Sequence, residues 1–348
     1  MSTAPPVALS PLVDANTDGS SVAKPFINAR PPFDDLGADI ILRSSSGVDF
    51  YLSRPILSFA SPFFDTMFSL PLPQAGAVQE MKDGKPVISV EEDEDTLDLL
   101  LKYCYPRWCT TLELEKTSFE KLISARQAAE KYEMEGVENR IREELIAERF
   151  LAKDPLRMYA IALRYRLERE TRVAAKATLR LPILGRQYFD ELEYISAGAH
   201  HRLQVYHLKC AEVAKKVATN LDWMTADKYV WFECNGECRN QASYTINYTP
   251  EVVTISGNRR KWVLSRWWWE YMTQAGRALA ERPLGATVTD PDLMDDALGK
   301  ASGCGFCRGR AFKEMRAFAN VFSDEVDKAI AEVGQVPLMS TTILIAQS

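Results

Sequence analysis

Histidine is nearly missing from this chain: His200, His201 and His207 are the only 3 in 348 residues. So few imidazoles leave little choice of a general base. No Gly-x-Ser-x-Gly elbow, Walker loop or HExxH helix offers another route to catalysis. A basic excess is missing too. The count of 42 Lys+Arg against 48 Asp+Glu leaves a net charge of −6, which argues against a general nucleic-acid binder. No apolar run approaches the roughly 18 residues that a membrane helix requires. The opening stretch, MSTAPPVALSPLVDANTDGSS, has neither a basic start nor a long apolar core, so no secretory signal is expected. The 7 cysteines are an odd number in a chain with no export signal. They point to reduced thiols and an intracellular setting, cytoplasm or nucleus.

What is present is the composition of an ordinary globular protein, 46% hydrophobic and 26% charged, with room for about two domains. Residues 1–33 read as a disordered leader rich in Pro, Ser, Thr and Asp. The informative stretch runs from 38 to 106. Ile40, Ile41 and Leu42 favour a strand, and Ser44-Ser45-Ser46-Gly47 supplies a turn. Val48, Phe50 and Leu52 then alternate with Asp49, Tyr51 and Ser53, as in a half-buried strand. Pro55 suits a first helical turn, and Ser61-Pro62 opens a second helix with a capping hydroxyl. Asp83-Gly84 predicts a turn before a strand at 86–90. The acidic run 91–95 predicts the favourable negative start of a helix carrying Leu97, Leu100, Leu101 and Cys104, which Pro106 ends. Residues 118–134 predict another helix, with Phe119, Leu122 and Ile123 on one face, and a further one runs to about Phe150.

This order and the wording ADIILRSSSGVDF, PILSFASPFF and MF resemble the BTB (POZ) domain, in its stand-alone fungal type. The resemblance implies an α+β fold over residues 34–150, a small sheet covered by helices, followed by a mostly α-helical domain over 151–348. It implies protein binding rather than chemistry. The role is that of a scaffold or adaptor: substrate adaptor of a cullin-type ubiquitin ligase, or nuclear co-regulator. No membrane or nucleic-acid partner is expected. Family members commonly dimerise, and Phe33, Leu36 and the Ile56–Phe68 helices would supply apolar surface. The interaction residues expected on this basis are Asp39, Arg54, Ile56, Phe59, Phe63 and Met67. Asp39 and Arg54 stand where the charged pair of the BTB groove is often found, the alternative being a local salt bridge or turn contact. Ser53 replaces a usual histidine, which removes any partner that needs that imidazole.

The second half carries fewer signals. Asp154-Pro155 starts a helix whose continuation to Arg186 is basic, read as a solvated face. Leu203, Tyr206, Cys210, Val213, Val217 and Leu221 form one helical stripe. Trp262, Trp267, Trp268 and Trp269 read as several faces of one buried helix rather than a ligand box. Phe312, Met315, Ala319, Phe322, Val326, Ala329 and Val333 mark a last long helix. Two cysteine pairs stand out, Cys234-x-x-x-Cys238 and Cys304-x-x-Cys307. Each spacing lets two thiolates grip one metal, and four would complete the tetrahedron of a structural zinc. The 65 residues between the pairs exceed the roughly 15–20 of compact zinc modules. Such a site would therefore clip the Trp-rich segment to the last helix. Two other readings remain open: four buried free thiols, or a thiol–disulfide redox protein using Cys304 and Cys307.

Overall fold

A computed structural model describes residues 26–70, 80–106, 110, 112–185, 188–224, 229–235, 238, 252–255 and 258–333. The chain divides into two compact units, Met1–Arg142 and Glu143–Ser348. The leader expected over 1–33 lies outside the described residues as far as 25, and from Phe26 the chain takes part in the first unit.

The first unit is built on a five-stranded sheet. Its strands are β1 (Ile27–Asn28), β2 (Ile40–Arg43), β3 (Val48–Leu52), β4 (Met81–Lys82) and β5 (Lys85–Ser89), in the order β1-β3-β2-β5-β4. β2 and β3 form an antiparallel pair with Ile40 opposite Leu52 and Arg43 opposite Asp49, while β1 joins β3 and β5 joins β2 in parallel. The β4–β5 hairpin turns at Asp83 and Gly84, both at positive φ, where glycine is the residue without a Cβ penalty. Four helices follow the pattern read from their caps. These are α1 (Arg54–Ala60), α2 (Pro62–Ser69), α3 (Glu94–Cys104) and α4 (Phe119–Lys131). Ser61, Asp93 and Ser118 accept the orphan N–H groups of Phe64, Thr96 and Lys121. α5 (Glu135–Leu145) stops short of the expected Phe150, because the chain turns at Ile146 and Ala147 before a single-turn α6 (Glu148–Leu151).

β3 departs from the alternation expected of it. All five residues from Val48 to Leu52 are buried: the Phe33 ring packs on Phe50, while Arg43 and Lys82 from other strands cover Asp49, and Lys82 also lies over the Tyr51 ring. Asp49 is thereby fully enclosed. Its carboxylate accepts from Arg43 Nε at 2.6 Å and Nη2 at 3.1 Å, and from Lys82 Nζ at 2.7 Å. Arg43 also pairs with Glu80, and Lys82 reaches Asn28 Oδ1 at 2.8 Å. Burial opposes the ionised carboxyl of Asp49, but Arg43 and Lys82 outweigh it and hold its pKa below the ordinary value.

The second unit is mostly helical. α7 (Pro155–Arg164) is capped by Asp154 as expected, but the helix breaks at Tyr165 and Arg166, the latter at positive φ, before α8 (Glu168–Ala177). Part of the basic run is paired where it sits. Arg157 pairs with Glu191, Arg172 with Glu168 and Arg180 with Glu148, while Arg164 lies 3.7 Å over the Tyr194 ring. α9 (Ala197–Thr219) buries Leu203, Tyr206 and Cys210 along its predicted stripe. α10 (Val230–Glu233), the hairpin β6 (Val252–Ile255) and β7 (Asn258–Val263), α11 (Arg266–Glu281), α12 (Pro291–Ser302) and α13 (Ala311–Val333) complete the unit.

Two expectations are corrected here. Trp262 belongs to β7 and not to the tryptophan helix, since a hairpin precedes Ser265 and only Trp267, Trp268 and Trp269 enter α11. Phe312 is 61% exposed, and the buried seam of α13 runs through Met315, Phe318, Phe322, Val326 and Ile330. α9 packs on α11 and α13. Phe318 is the hub of the core: its ring lies 5.3 Å from Trp231, 5.5 Å from Trp268, 5.8 Å from Trp223 and 5.8 Å from Phe322.

Two consequences are measurable. Asp49 contributes stability above the ordinary carboxylate range of about 4 and loses it as pH falls through its lowered value. Asp49→Asn should cost about 3 kcal/mol at neutral pH, because Arg43 and Lys82 lose their one buried counter-charge and only the exposed Glu80 remains to Arg43, and should remove that part of the acid sensitivity. Denaturant titrations at neutral and acid pH would show this. A variant matching the parent in both conditions contradicts it. Phe318→Ala should cost the second unit about 3–5 kcal/mol, read as a lowered melting transition with loss of the near-ultraviolet tryptophan signal.

Candidate functional site

Two places in the molecule carry function-bearing geometry, one in each unit. In the first, α1 and α2 form a corner around Ser61. The hydroxyl of Ser61 is fully buried, donates to the Tyr132 carbonyl at 2.5 Å and accepts from the Phe64 N–H at 3.1 Å. Phe64 and Tyr132 pack ring on ring at 5.0 Å, and Phe63 adds a contact to Tyr132 at 5.5 Å. The corner is thus anchored from below while its outer side stays apolar. Phe59 is 95% exposed and Phe63 41%, with Ile56 and Met67 half-buried beside them. Phe59 and Phe63 are four residues apart. An exposed aromatic held on an anchored corner is surface available to a partner.

Asp39 and Arg54 do come together, though as a backbone contact. Asp39 Oδ1 accepts the main-chain N–H of Arg54 at 2.7 Å and so closes the first turn of α1. The Arg54 guanidinium lies 5.5 Å from the Phe68 ring. Leu36 is 65% exposed, whereas Phe33, expected on the surface, is fully buried against Phe50 and Tyr105 at 5.9 and 5.3 Å. It is enclosed because its carbonyl pairs with the N–H of Tyr51 and holds the segment against β3.

In the second unit the four singled-out cysteines converge. The Sγ atoms of Cys234, Cys238, Cys304 and Cys307 all lie within 4.8 Å of one another, and all four residues are buried. Cys234 and Cys238 are 3.0 Å apart, Cys238 and Cys307 3.5 Å, and Cys234 and Cys304 3.7 Å. Metal–sulfur bonds of about 2.3 Å in a regular tetrahedron place sulfurs about 3.8 Å apart. The donor set therefore suits a tetrahedral metal in both chemistry and spacing.

Each sulfur is placed by a helix end. Cys234 ends α10, its N–H bonded to the Val230 carbonyl. Cys304 follows the end of α12 at Gly303, and Cys307 stands four residues before α13 begins at Ala311, its carbonyl accepting the N–H groups of Arg310 and Ala311. Cys238 bonds Ser265 Oγ at 3.4 Å, and Ser265 is the residue from which α11 starts. That end of the helix dipole favours negative charge on sulfur.

Burial opposes ionisation of Cys304, but backbone N–H groups of Cys307, Cys238 and Phe306 overcome it and bring its thiol down to about 6. Cys238 is pushed the other way, through its hydrogen bond with Cys307 and its burial. The cluster thus distributes protons unequally among its sulfurs. The two pairs interleave, so Cys304 and Cys307 are half of a four-sulfur group and not an isolated dithiol. The aromatic floor was less legible beforehand. Trp231, stacked 5.5 Å from Trp268 and edge-on to Trp267 at 5.8 Å, carries the carbonyl that receives both the N–H and the hydroxyl of Ser265. Only its place three residues before Cys234 hinted at that.

Among the described residues no helix is long and apolar enough to cross a membrane. No curated protein matches the chain. The family model of the BTB/POZ domain matches residues 34–149, the stretch that holds the sheet, the α1–α2 corner and the helices after it. The small sheet with its helices and that match together make residues 34–149 a BTB/POZ domain, a module whose general role is protein interaction.

Proposed function

We propose that the chain is a non-enzymatic adaptor that pairs with a second copy of itself through the α1–α2 corner, and that one structural zinc clips its C-terminal unit. The observation that carries the first part is Phe59, a large aromatic 95% exposed on an anchored corner. Domains of this family commonly dimerise and bind other proteins. The interface proposed is Ile56, Phe59, Phe63 and Met67, with Asp39 and Arg54 setting the start of α1 beneath it. Burying such rings favours association by the hydrophobic effect, and an aromatic near the centre of an interface often dominates its energetics. Partners beyond self include a cullin or a nuclear co-regulator complex. Affinity purification with mass spectrometry separates the two, and the absence of any cullin at near-stoichiometric level removes the ligase role. The setting proposed is intracellular, where thiols stay reduced.

The second part rests on four sulfurs within 4.8 Å, too close and too buried to be left as unrelated thiols. Zinc there supplies no reaction. It would accept four thiolates and fix α10, α12 and the starts of α11 and α13 to one another.

Both parts have direct tests. Sedimentation velocity of the full chain should give a dimer at micromolar concentration, and Phe59→Asp should weaken it by about 2 kcal/mol or more. A monomer at high micromolar concentration ends the pairing reading. Elemental analysis of protein purified without added metal should find about one zinc per chain. Cys307→Ser should lose it and lower the melting transition of the second unit while sparing that of the first. Metal-free protein with an unchanged melting curve in strong chelator ends the zinc reading.

A further inference from the structure

The four sulfurs are not equally sealed. A pocket of about 420 Å³ opens beside the cluster, and of the four cysteines it touches only Cys238 and Cys304. Among the described residues its remaining wall is Arg266, Trp267, Glu270 and Lys300, with Gly303. Lys300 and Gly303 are exposed, so the mouth is polar and wet, whereas Trp267 is buried and walls off the core. Glu270 is held by Arg266 at 2.7 Å and by Lys300 at 3.0 Å, so these charges of the wall are paired with one another. Each cysteine pair thus has one sulfur on the pocket, while Cys234 and Cys307 sit behind.

We propose that this pocket makes the cluster a site of oxidative modification, in which hydrogen peroxide enters and couples Cys238 to Cys234. Peroxide is little larger than water and fits the space. Cys238 Sγ attacks one peroxide oxygen, the O–O bond breaks, and the departing hydroxide leaves as water after taking a proton. Cys238 then carries a sulfenic acid. Cys234 Sγ, 3.0 Å away, attacks that sulfur; the S–S bond forms, the S–O bond breaks, and the second hydroxide leaves as water with the thiol proton. Two thiols lose two electrons and two protons, and one peroxide becomes two waters. Proximity selects this pair although the Cys304 thiol is the more acidic of the two on the pocket: Cys234 stands 3.0 Å from Cys238 but 3.7 Å from Cys304, and Cys307 is 3.5 Å from Cys238. A bound metal loses two of its four ligands in this step and is released; that release rests on the zinc reading above, while the sulfur chemistry does not.

The test treats the full chain with hydrogen peroxide and follows intact mass, peptide maps and, with a chromogenic chelator, free zinc. The expected result is loss of two hydrogens per chain, with the bond mapped between Cys234 and Cys238. The other three cysteines of the sequence, Cys104, Cys109 and Cys210, should stay reduced. Gly303→Leu probes the entrance. Gly303 has φ −70, and a Cβ there meets nothing nearer than the Lys300 carbonyl at 3.6 Å, so the side chain is tolerated while it narrows the mouth. That variant should react about fivefold more slowly or less, since access controls thiol reactivity. Oxidation mapped only to Cys104, Cys109 or Cys210 overturns the proposal, as does wild-type speed in Gly303→Leu. Zinc-loaded protein that keeps all four thiols under peroxide overturns it and leaves the zinc reading standing. Metal-free protein that still forms the bond upholds it and ends the zinc reading alone.

Discussion

A buried carboxylate governs the first unit. Enclosing the charge of Asp49 in a sheet is costly unless every partner is in place, and its partners come from separate strands. Arg43 arrives with β2 and Lys82 with β4, while Asn28 of β1 reaches the same Lys82. A one-residue slip between β2 and β3 would turn Asp49 or Arg43 to the opposite face and leave a charge unpaired in the interior. The ion network therefore specifies register as much as it adds stability. It also explains why the short β4 persists at an edge, where a two-residue strand alone would have little reason to stay.

Much of this was readable in one dimension because it is governed by local chemistry. Serine and aspartate before helices, proline in first turns and Asp-Gly in a hairpin act over a few residues, and each stands where its pattern put it. What escaped was set by tertiary neighbours. The alternation in β3 suggested one wet face, yet Arg43 and Lys82 from other strands cover it, and nothing in VDFYL reveals side chains contributed from so far along the chain. Phe33 looked like surface for the same reason. The reverse error occurred at Phe312, which fits the three-and-four spacing of α13 but falls in its first turn, outside the buried seam.

The cysteine cluster shows how far spacing carries. Two short pairs announce metal-binding chemistry, but 65 intervening residues weaken the inference from sequence, because loop closure over that length has an entropic cost. The structure meets that cost with the aromatic core. Phe318 on α13, Trp268 on α11 and Trp231 on α10 pack on one another and so bring the three chain segments together. The sulfurs then lie at the ends of helices already held by those rings. Hydrophobic burial does the gathering, and the sulfur chemistry is local to the result.

The two units thus present contrasting ways of placing reactive surface. At the α1–α2 corner, Ser61 and the rings of Phe64 and Tyr132 fix the backbone so that Phe59 faces water without freedom to fold back. An apolar group kept exposed in this way retains its hydration cost until a partner covers it, which is the physical basis of an interaction site. At the cluster the polarity is reversed: hydrophilic sulfurs are enclosed and an opening is left to two of them. In each case the scaffold is anchored by ordinary packing.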